Sequence, residues 1–371
     1  MRFLLSGGGT AGHINPALAI AQSIQEKWPD AEILFAGTPF GMEAKLVPEA
    51  GYDFVPIKVL GFQRSFAPSD IVKNVQACAY LCGAMPRAKK IIKDFKPDVV
   101  IGTGGYVCGP IMKTAAQMGI KTAIHESNAY PGITTKLVAG QMDVVMLATA
   151  SASAHLDEKS HCVVTGNPIS SDFFGKSKKQ ARNELGITDD LCILSYGGSL
   201  GAGKINETVV DLIAWEQQVG GIHHIHSYGR MGEKTFVKSL EDKDIFPEIN
   251  PHLDIREYIN NMPVCMTAAD VVICRAGAMT LSQIQALGLP SILIPSPVVA
   301  ENHQYHNAMV LANNGAAIVI EQANLTSQLL IKTVEELYND KARLKSLSEK
   351  AKKMAVTDAK EKIMQEITKL L

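Results

Sequence analysis

The 371-residue chain is poor in several things at once, and each shortage removes a class of function. Aromatic residues make up 6% and charged residues 20%, and 36 Lys and Arg against 37 Asp and Glu leave a net charge of −1. A balanced chain exerts no general pull on nucleic acid, so no nucleic-acid partner is expected and any basic patch must be local. The seven cysteines (Cys78, Cys82, Cys108, Cys162, Cys192, Cys265, Cys274) contain no CxxC pair. An odd set in apolar surroundings reads as reduced core thiols, and no metal site is expected. No apolar run is long enough to span a bilayer, and no charged leader, apolar segment and cleavage site stand in series at the start. A cytoplasmic protein is expected, with contact to a membrane surface still open. Low-complexity segments and short-period repeats are also lacking.

Glycine, by contrast, is concentrated at one kind of place. Three times an apolar strand runs into a glycine cluster and then into a helix: Phe3-Leu4-Leu5-Ser6 into Gly7-Gly8-Gly9-Thr10-Ala11-Gly12-His13, Val99-Val100-Ile101 into Gly102-Thr103-Gly104-Gly105, and Ile193-Leu194-Ser195-Tyr196 into Gly197-Gly198-Ser199-Leu200-Gly201-Ala202-Gly203. Such turns bring bare N–H groups onto an anion, and the helix N-terminus adds its positive dipole end. Loops in both halves of the chain suggest two phosphate-bearing substrates.

Strands alternate with helices throughout. Strands are expected near residues 2–6, 31–36, 53–59, 98–102, 121–125, 143–148 and 161–165, then near 192–196, 222–227, 253–256, 270–274, 291–295 and 316–320. Their continuous apolar runs fit parallel strands covered on both faces. The turn Gly166-Asn167-Pro168 separates the halves, and the tail from Lys341 reads as two helices. The expected fold is α/β: two Rossmann-like doubly wound domains facing across a cleft, divided as 1–165 and 166–345, with 346–371 a C-terminal helix packing back on the first.

Gly7-x-Gly9-x-x-Gly12 satisfies the dinucleotide fingerprint, yet the second strand ends Leu34-Phe35-Ala36-Gly37-Thr38, with no carboxylate for a ribose, and Glu32 comes too early. No nicotinamide, and no cofactor of any kind, is expected. His13, in the first turn of its helix, could accept a proton from a substrate hydroxyl or simply pack the helix. His125-Glu126-Ser127-Asn128 closes a strand and reads as a functional loop more readily than as a buried network. His223, His224 and His226 alternate along a strand and so divide between its faces. In the second half Arg275-Ala276-Gly277-Ala278-Met279-Thr280 again takes a strand into a helix, with Gln283 one turn on. Gln304 and Asn307, spaced i,i+3, can project from one helical face as neutral amides suited to sugar hydroxyls.

Together Gly8-Gly9-Thr10-Ala11-Gly12-His13-Ile14-Asn15-Pro16, Gly102-Thr103-Gly104-Gly105-Tyr106, His125-Glu126-x-Asn128, Gly166-Asn167-Pro168, Gly197-Gly198-Ser199, Arg275-Ala276-Gly277-Ala278 and Asn302-His303-Gln304 resemble the signatures of the MurG family of peptidoglycan N-acetylglucosaminyltransferases, in order over nearly the whole chain. The resemblance implies a GT-B fold, with the acceptor lipid I on the N-terminal domain and UDP-GlcNAc on the C-terminal one. It implies inverting transfer of GlcNAc to the 4-hydroxyl of the lipid-linked muramyl sugar, giving lipid II. By motif, Ile259 would meet uracil through its backbone and Gln283 the ribose. Ser199, Met279 and Thr280 would hold the donor phosphates; Thr10, Ala11, Gly12, Asn128, Gln304 and Asn307 would lie around the sugar. Gly8, Gly9, Gly104 and Gly105 would cradle the acceptor pyrophosphate, and His13 would be the base, with Glu126 its rival or helper. Implied partners are the anionic cytoplasmic membrane face and proteins of cell-wall synthesis and division.

The pattern is broken at Gln283, where a glutamate is expected, and at Ser170, where an arginine is usual, which removes a cation from the donor side; Arg275 and Lys204 are the candidates to replace it. Leu200 and Ser127 stand where some members carry glutamine. Residues 60–96 mix Leu60, Phe62, Phe66, Ile71, Val75, Tyr80 and Leu81 with Arg64 and Lys73, followed by Arg87, Lys89, Lys90 and Lys93. They read either as a reversible membrane contact or as a core-packing helix with a solvated basic end. A related UDP-GlcNAc 2-epimerase and a nonenzymatic division scaffold are the competing functions.

Overall fold

The computed structural model describes residues 1–61, 68–188 and 190–371, without the side chains of 68–76, 78, 79, 81, 82 and 234. Two compact units divide them: Met1–Ile169 with Thr357–Leu371, and Ser170–Val356. The division falls a few residues beyond Gly166, because Ile169 is still buried.

In the first unit the strands are β1 (Arg2–Gly7), β2 (Glu32–Gly37), β3 (Asp53–Pro56), β4 (Val99–Gly104), β5 (Lys121–Glu126), β6 (Val144–Leu147) and β7 (Cys162–Val164), in spatial order β3-β2-β1-β4-β5-β6-β7. All pairings are parallel. Their side chains alternate between two cores, as the two-residue period requires. Leu4, Val100, Ile124 and Val145 enter the core under the helices Pro68–Phe95 and Cys108–Gln117. Phe3, Leu5, Val99, Ile101, Ala123 and Met146 enter the opposite one. That second core is closed by Ala17, Ile20 and Ile24 of the helix Ala11–Lys27 and by Ile363, Met364 and Ile367 of the helix Ala359–Leu370.

The tail therefore splits. The helix Lys341–Lys353 puts Leu347 into the core of the second unit, and only the segment from Thr357 joins the first. The expected single C-terminal piece from 346 thus divides between the units.

The second unit holds β8 (Leu191–Tyr196), β9 (Ile222–Ser227), β10 (Leu253–Arg256), β11 (Val271–Cys274), β12 (Ser291–Leu293) and β13 (Ile318–Val319), in order β10-β9-β8-β11-β12-β13, also parallel. Its core of Ile193, Ile205, Val209, Ile213, Ile273 and Ile292 encloses one polar chain. Glu216, 4% exposed, accepts the Nδ1–H of His224 on both oxygens, at 2.9 and 2.8 Å. His224 Nε2 and His226 Nδ1 each lie 2.7 Å from the Ser195 hydroxyl. His226 stacks on Phe236, and its Nε2 has no partner among the described residues. Cys108, Cys192, Cys265 and Cys274 are buried thiols and Cys162 is half-buried; burial pushes Cys108, Cys192 and Cys274 up to about 12.

Candidate active site

Strand order locates the sites before any side chain is considered. In each sheet the connections reverse direction at one point, between β1 and β4 and between β8 and β11, and ligands of such sheets bind outside the strands' carboxyl ends there. The loops leaving those four strands are the glycine loops after Gly7, Gly104 and Tyr196 and the Arg275–Ala278 turn.

In the first unit the two glycine loops lock together. A Cβ on Gly105 would stand 2.2 Å from the Gly8 carbonyl oxygen, and Gly105 has φ +83°, a conformation only glycine adopts without strain. The Gly8 amide donates to the Gly104 carbonyl at 3.3 Å. The Gly9 amide donates at 3.0 Å to Glu43 Oε2, whose other oxygen takes the Thr38 amide at 3.0 Å and the Thr38 hydroxyl at 2.6 Å. Glu43 is 1% exposed and fills a hole where a Cβ on Gly8, Gly37 or Gly41 would clash with it. The amides expected of Gly8 and Gly9 for a pyrophosphate are thus spent inside the protein. The unspent amides of this turn, among the described residues, are those of Thr10, Ala11 and Gly12 at the start of the following helix, whose first turn carries no acidic residue.

His13 sits in that turn, half-buried, with Nδ1 3.1 Å from the Gly8 carbonyl and 3.3 Å from Thr10 Oγ1. A carbonyl only accepts, so Nδ1 carries the hydrogen and the neutral ring presents its lone pair at Nε2; the tautomer is inferred from this contact. The ring lies over Gly104, where a Cβ would be 3.1 Å from Nε2. Thr103 Oγ1 donates to the His13 carbonyl at 2.8 Å and ties the helix start to β4.

The loop after β5 is organised by Glu126, 4% exposed. Oε1 accepts the Asn128 amide and Nδ2, both at 3.0 Å; Oε2 accepts the Gly132 amide at 3.0 Å and Thr135 Oγ1 at 2.7 Å. Both oxygens face donors of their own loop. Buried His125 spans from β5 to the Gly166 carbonyl at 2.9 Å through Nε2, and burial lowers its pKa.

In the second unit the Gly197–Gly203 loop precedes the helix Gly203–Val219, with Ser199 and Leu200 exposed. Thr280 is half-buried in the first turn of the helix Ala278–Leu287, and burial holds the Tyr196 phenol protonated, well above its ordinary range. Met279 and Gln283 are half-buried on the helix Ala278–Leu287. Ile259 is buried beyond β10, two strands from β8 and so about 10 Å along the same edge. Gln304 Oε1 accepts the Ser296 amide at 2.9 Å. Asn307 departs from expectation. It is 4% exposed and donates Nδ2 to the Ala276 carbonyl at 3.3 Å, so it clamps its helix to the 275–278 turn instead of sharing an open face with Gln304.

Arg275 is likewise committed inward. Its NH1 donates to the Ile294 and Pro295 carbonyls at 3.1 and 3.2 Å and its NH2 to Gln322 Oε1 at 2.5 Å, and desolvation lowers its pKa. Ser170, where an arginine was expected, caps the short turn Ser171–Phe174 through Asp172.

Two domain models match the chain: the glycosyltransferase family 28 N-terminal domain over residues 3–147 and its C-terminal domain over residues 192–363. The chain belongs to glycosyltransferase family 28. Its two parallel-sheet α/β units are those of the GT-B class. A relative from Acetivibrio thermocellus, named UDP-N-acetylglucosamine–N-acetylmuramyl-(pentapeptide) pyrophosphoryl-undecaprenol N-acetylglucosamine transferase, is 43% identical over 100% of this chain and 98% of its own. One of the same name from Caldanaerobacter subterraneus is 42% identical over 98% of each. Among solved structures, the MurG of Acinetobacter baumannii superimposes with a TM-score of 0.78 at 27% identity over 99% of each chain. A UDP-GlcNAc 2-epimerase from Neisseria meningitidis bound to UDP-GlcNAc reaches 0.68 at 13% identity over 100% of each, a likeness of fold alone.

Sequence reasoning missed Glu43, Asn307's inward turn and the polar chain through Ser195. The spacing Gly37…Gly41-Met42-Glu43 was the available signal for the first: small residues crowding one acid.

Proposed function

We propose that the chain transfers N-acetylglucosamine from UDP-GlcNAc to the 4-hydroxyl of undecaprenyl-pyrophosphoryl-MurNAc-pentapeptide, with inversion. The observation that carries this reading is one switch-point glycine site in each unit, in a chain whose full-length relatives bear that activity in their names. His13 Nε2 takes the proton of the acceptor hydroxyl as its oxygen forms a bond to the sugar's anomeric carbon. The bond from that carbon to the β-phosphate oxygen breaks, and its electron pair leaves with UDP. Charge on the diphosphate is met by the Gly197–Gly203 loop, the Ser199 and Thr280 hydroxyls and the helix dipoles. The acceptor's anion falls to the Thr10–Gly12 amides and the Gly104–Gly105 loop. Glu126, with four donors on its carboxylate, positions Asn128.

The same reading takes the first unit to the anionic cytoplasmic face of the membrane. No helix among the described residues is long and apolar enough to cross a bilayer. Phe62, Arg64 and Phe66 lie outside the described residues, as do the side chains of Ile71, Lys73, Val75 and Leu81. Support comes from exposed Phe40, Met42, Tyr80 and Tyr106, from exposed Arg87, Lys89 and Lys93, and from a cavity of about 470 Å³ lined by Pro39, Ile57, Lys58, Tyr80 and Arg87. Basic groups beside an anionic surface contribute about 1 kcal/mol each.

The test mixes the full chain with UDP-GlcNAc and a lipid I analogue. UDP should appear only with acceptor, one for each disaccharide formed. Acceptor-independent release of free sugar would overturn the reading.

A further inference from the structure

The donor's diphosphate is dianionic and gains charge as the glycosidic bond breaks, so the reading above calls for a cation at the Gly197–Gly203 loop. Among the described side chains, three cations are near it in the fold. Arg275 has both terminal nitrogens on carbonyl oxygens of its own unit. Lys204 pairs with Glu207 at 3.0 Å, one helical turn away. Arg230 is exposed, and among the described residues it has no carboxylate partner.

Arg230 also occupies a fixed place. β9 neighbours β8, so the turn Tyr228–Gly232 leaves the same edge as the glycine loop. The Arg230 amide donates to the Ser199 carbonyl at 3.3 Å, and the Met231 amide to the Leu200 carbonyl at 3.1 Å. The two backbones touch: a Cβ on Gly201 would stand 2.1 Å from the Tyr228 carbonyl oxygen, and one on Gly229 2.1 Å from the Gly201 amide nitrogen. From the helix behind, Asn206 Nδ2 holds the Tyr228 carbonyl at 2.9 Å. These bonds fix the Arg230 backbone beside Ser199, the residue whose hydroxyl the transfer reading puts on the donor phosphates.

We propose that Arg230 is the cation that meets the donor's diphosphate and stabilises it as UDP leaves. It forms no covalent bond and moves no proton. Its planar fork of donors suits phosphate oxygens. The proposal rests on the transfer reading, and it explains how a donor site with Ser170 in place of an arginine and with Arg275 turned inward keeps a positive charge.

Calorimetric titration of the full chain with UDP and with uridine tests it without any acceptor, so a failed transfer assay leaves this measurement standing. Arg230→Gln should weaken UDP binding about 10- to 100-fold, the loss of one charge-assisted contact, and leave uridine binding as it was. Arg230→Lys should recover most of the loss. An unchanged melting profile for both variants shows that the fold is intact. In transfer, the KM for UDP-GlcNAc should rise with Arg230→Gln while that for the acceptor stays. Equal weakening of UDP and uridine, no weakening of either, or a loss carried instead by Lys204→Gln would overturn the assignment.

Discussion

Replacing Glu43 by glutamine changes one oxygen to an NH2 group in a site that is 1% exposed. The carboxylate accepts three hydrogen bonds, two on Oε1 from Thr38 and one on Oε2 from the Gly9 amide. An amide keeps the better-served side, so its oxygen turns to Thr38 and its NH2 meets the Gly9 N–H, donor against donor. An unsatisfied buried donor costs about 1–3 kcal/mol. Loss of charge on the two Thr38 bonds costs about 1 kcal/mol more, since charge-assisted bonds are roughly twice as strong as neutral ones. The first unit should therefore lose about 2–4 kcal/mol, a fall of about 5–15 °C in its melting transition for a unit of roughly 180 residues. Hydrogen exchange at the Gly9 amide should accelerate strongly. Because Gly8 and Gly9 set the carbonyl that holds His13 Nδ1, turnover should drop at least tenfold while the KM for UDP-GlcNAc stays unchanged. A variant with wild-type melting and a protected Gly9 amide would refute this account of how the loop is held.

The Glu126→Gln variant separates positioning from proton transfer: with His13 as base it should lose activity about tenfold or less and keep the wild-type pH profile, whereas loss of the acidic limb of that profile, the fall in rate as the base takes up a proton, would make Glu126 the base. Burial lowers the pKa of His226, His223 and His125, so the unfolded chain takes up protons below about pH 6.5 that the folded chain refuses. Each such histidine subtracts up to about 1.4 kcal/mol per pH unit as the pH falls beneath that value. With two of the three in the second unit, the melting transition of that unit should shift down faster between pH 6.5 and 5 than that of the first; parallel shifts would refute the assignment.

Much of this architecture was legible because it rests on local patterns. Uninterrupted apolar runs such as Val99–Ile101 must be covered on both faces, and Leu4 and Leu5 do enter opposite cores. Glycine clusters after strands marked the sheet edges where the switch points lie. What stayed hidden depends on partners distant in sequence. Glu43 acts on Gly9 across 34 residues, and no period in the chain announces it. The i,i+3 spacing of Gln304 and Asn307 defines a shared face without saying that Asn307 lies against Ala276. Arg275 stands in sequence, with Lys204, as a candidate to replace the cation missing at Ser170, but the carbonyls of Ile294 and Pro295 that claim it belong to another strand end. The glycine loop signalled bare amides, and two of them at the first loop are consumed by its own packing.

The central claim is inverting transfer with His13 as the base, and the linkage of the product tests it most directly. The full chain, supplied with UDP-GlcNAc and a lipid I analogue, should yield a disaccharide whose new bond is β(1→4) by NMR coupling. His13→Ala should make the same product about 10²- to 10⁴-fold more slowly, with the KM for UDP-GlcNAc unchanged. An α-linked product, or a His13→Ala enzyme with wild-type turnover, would contradict it.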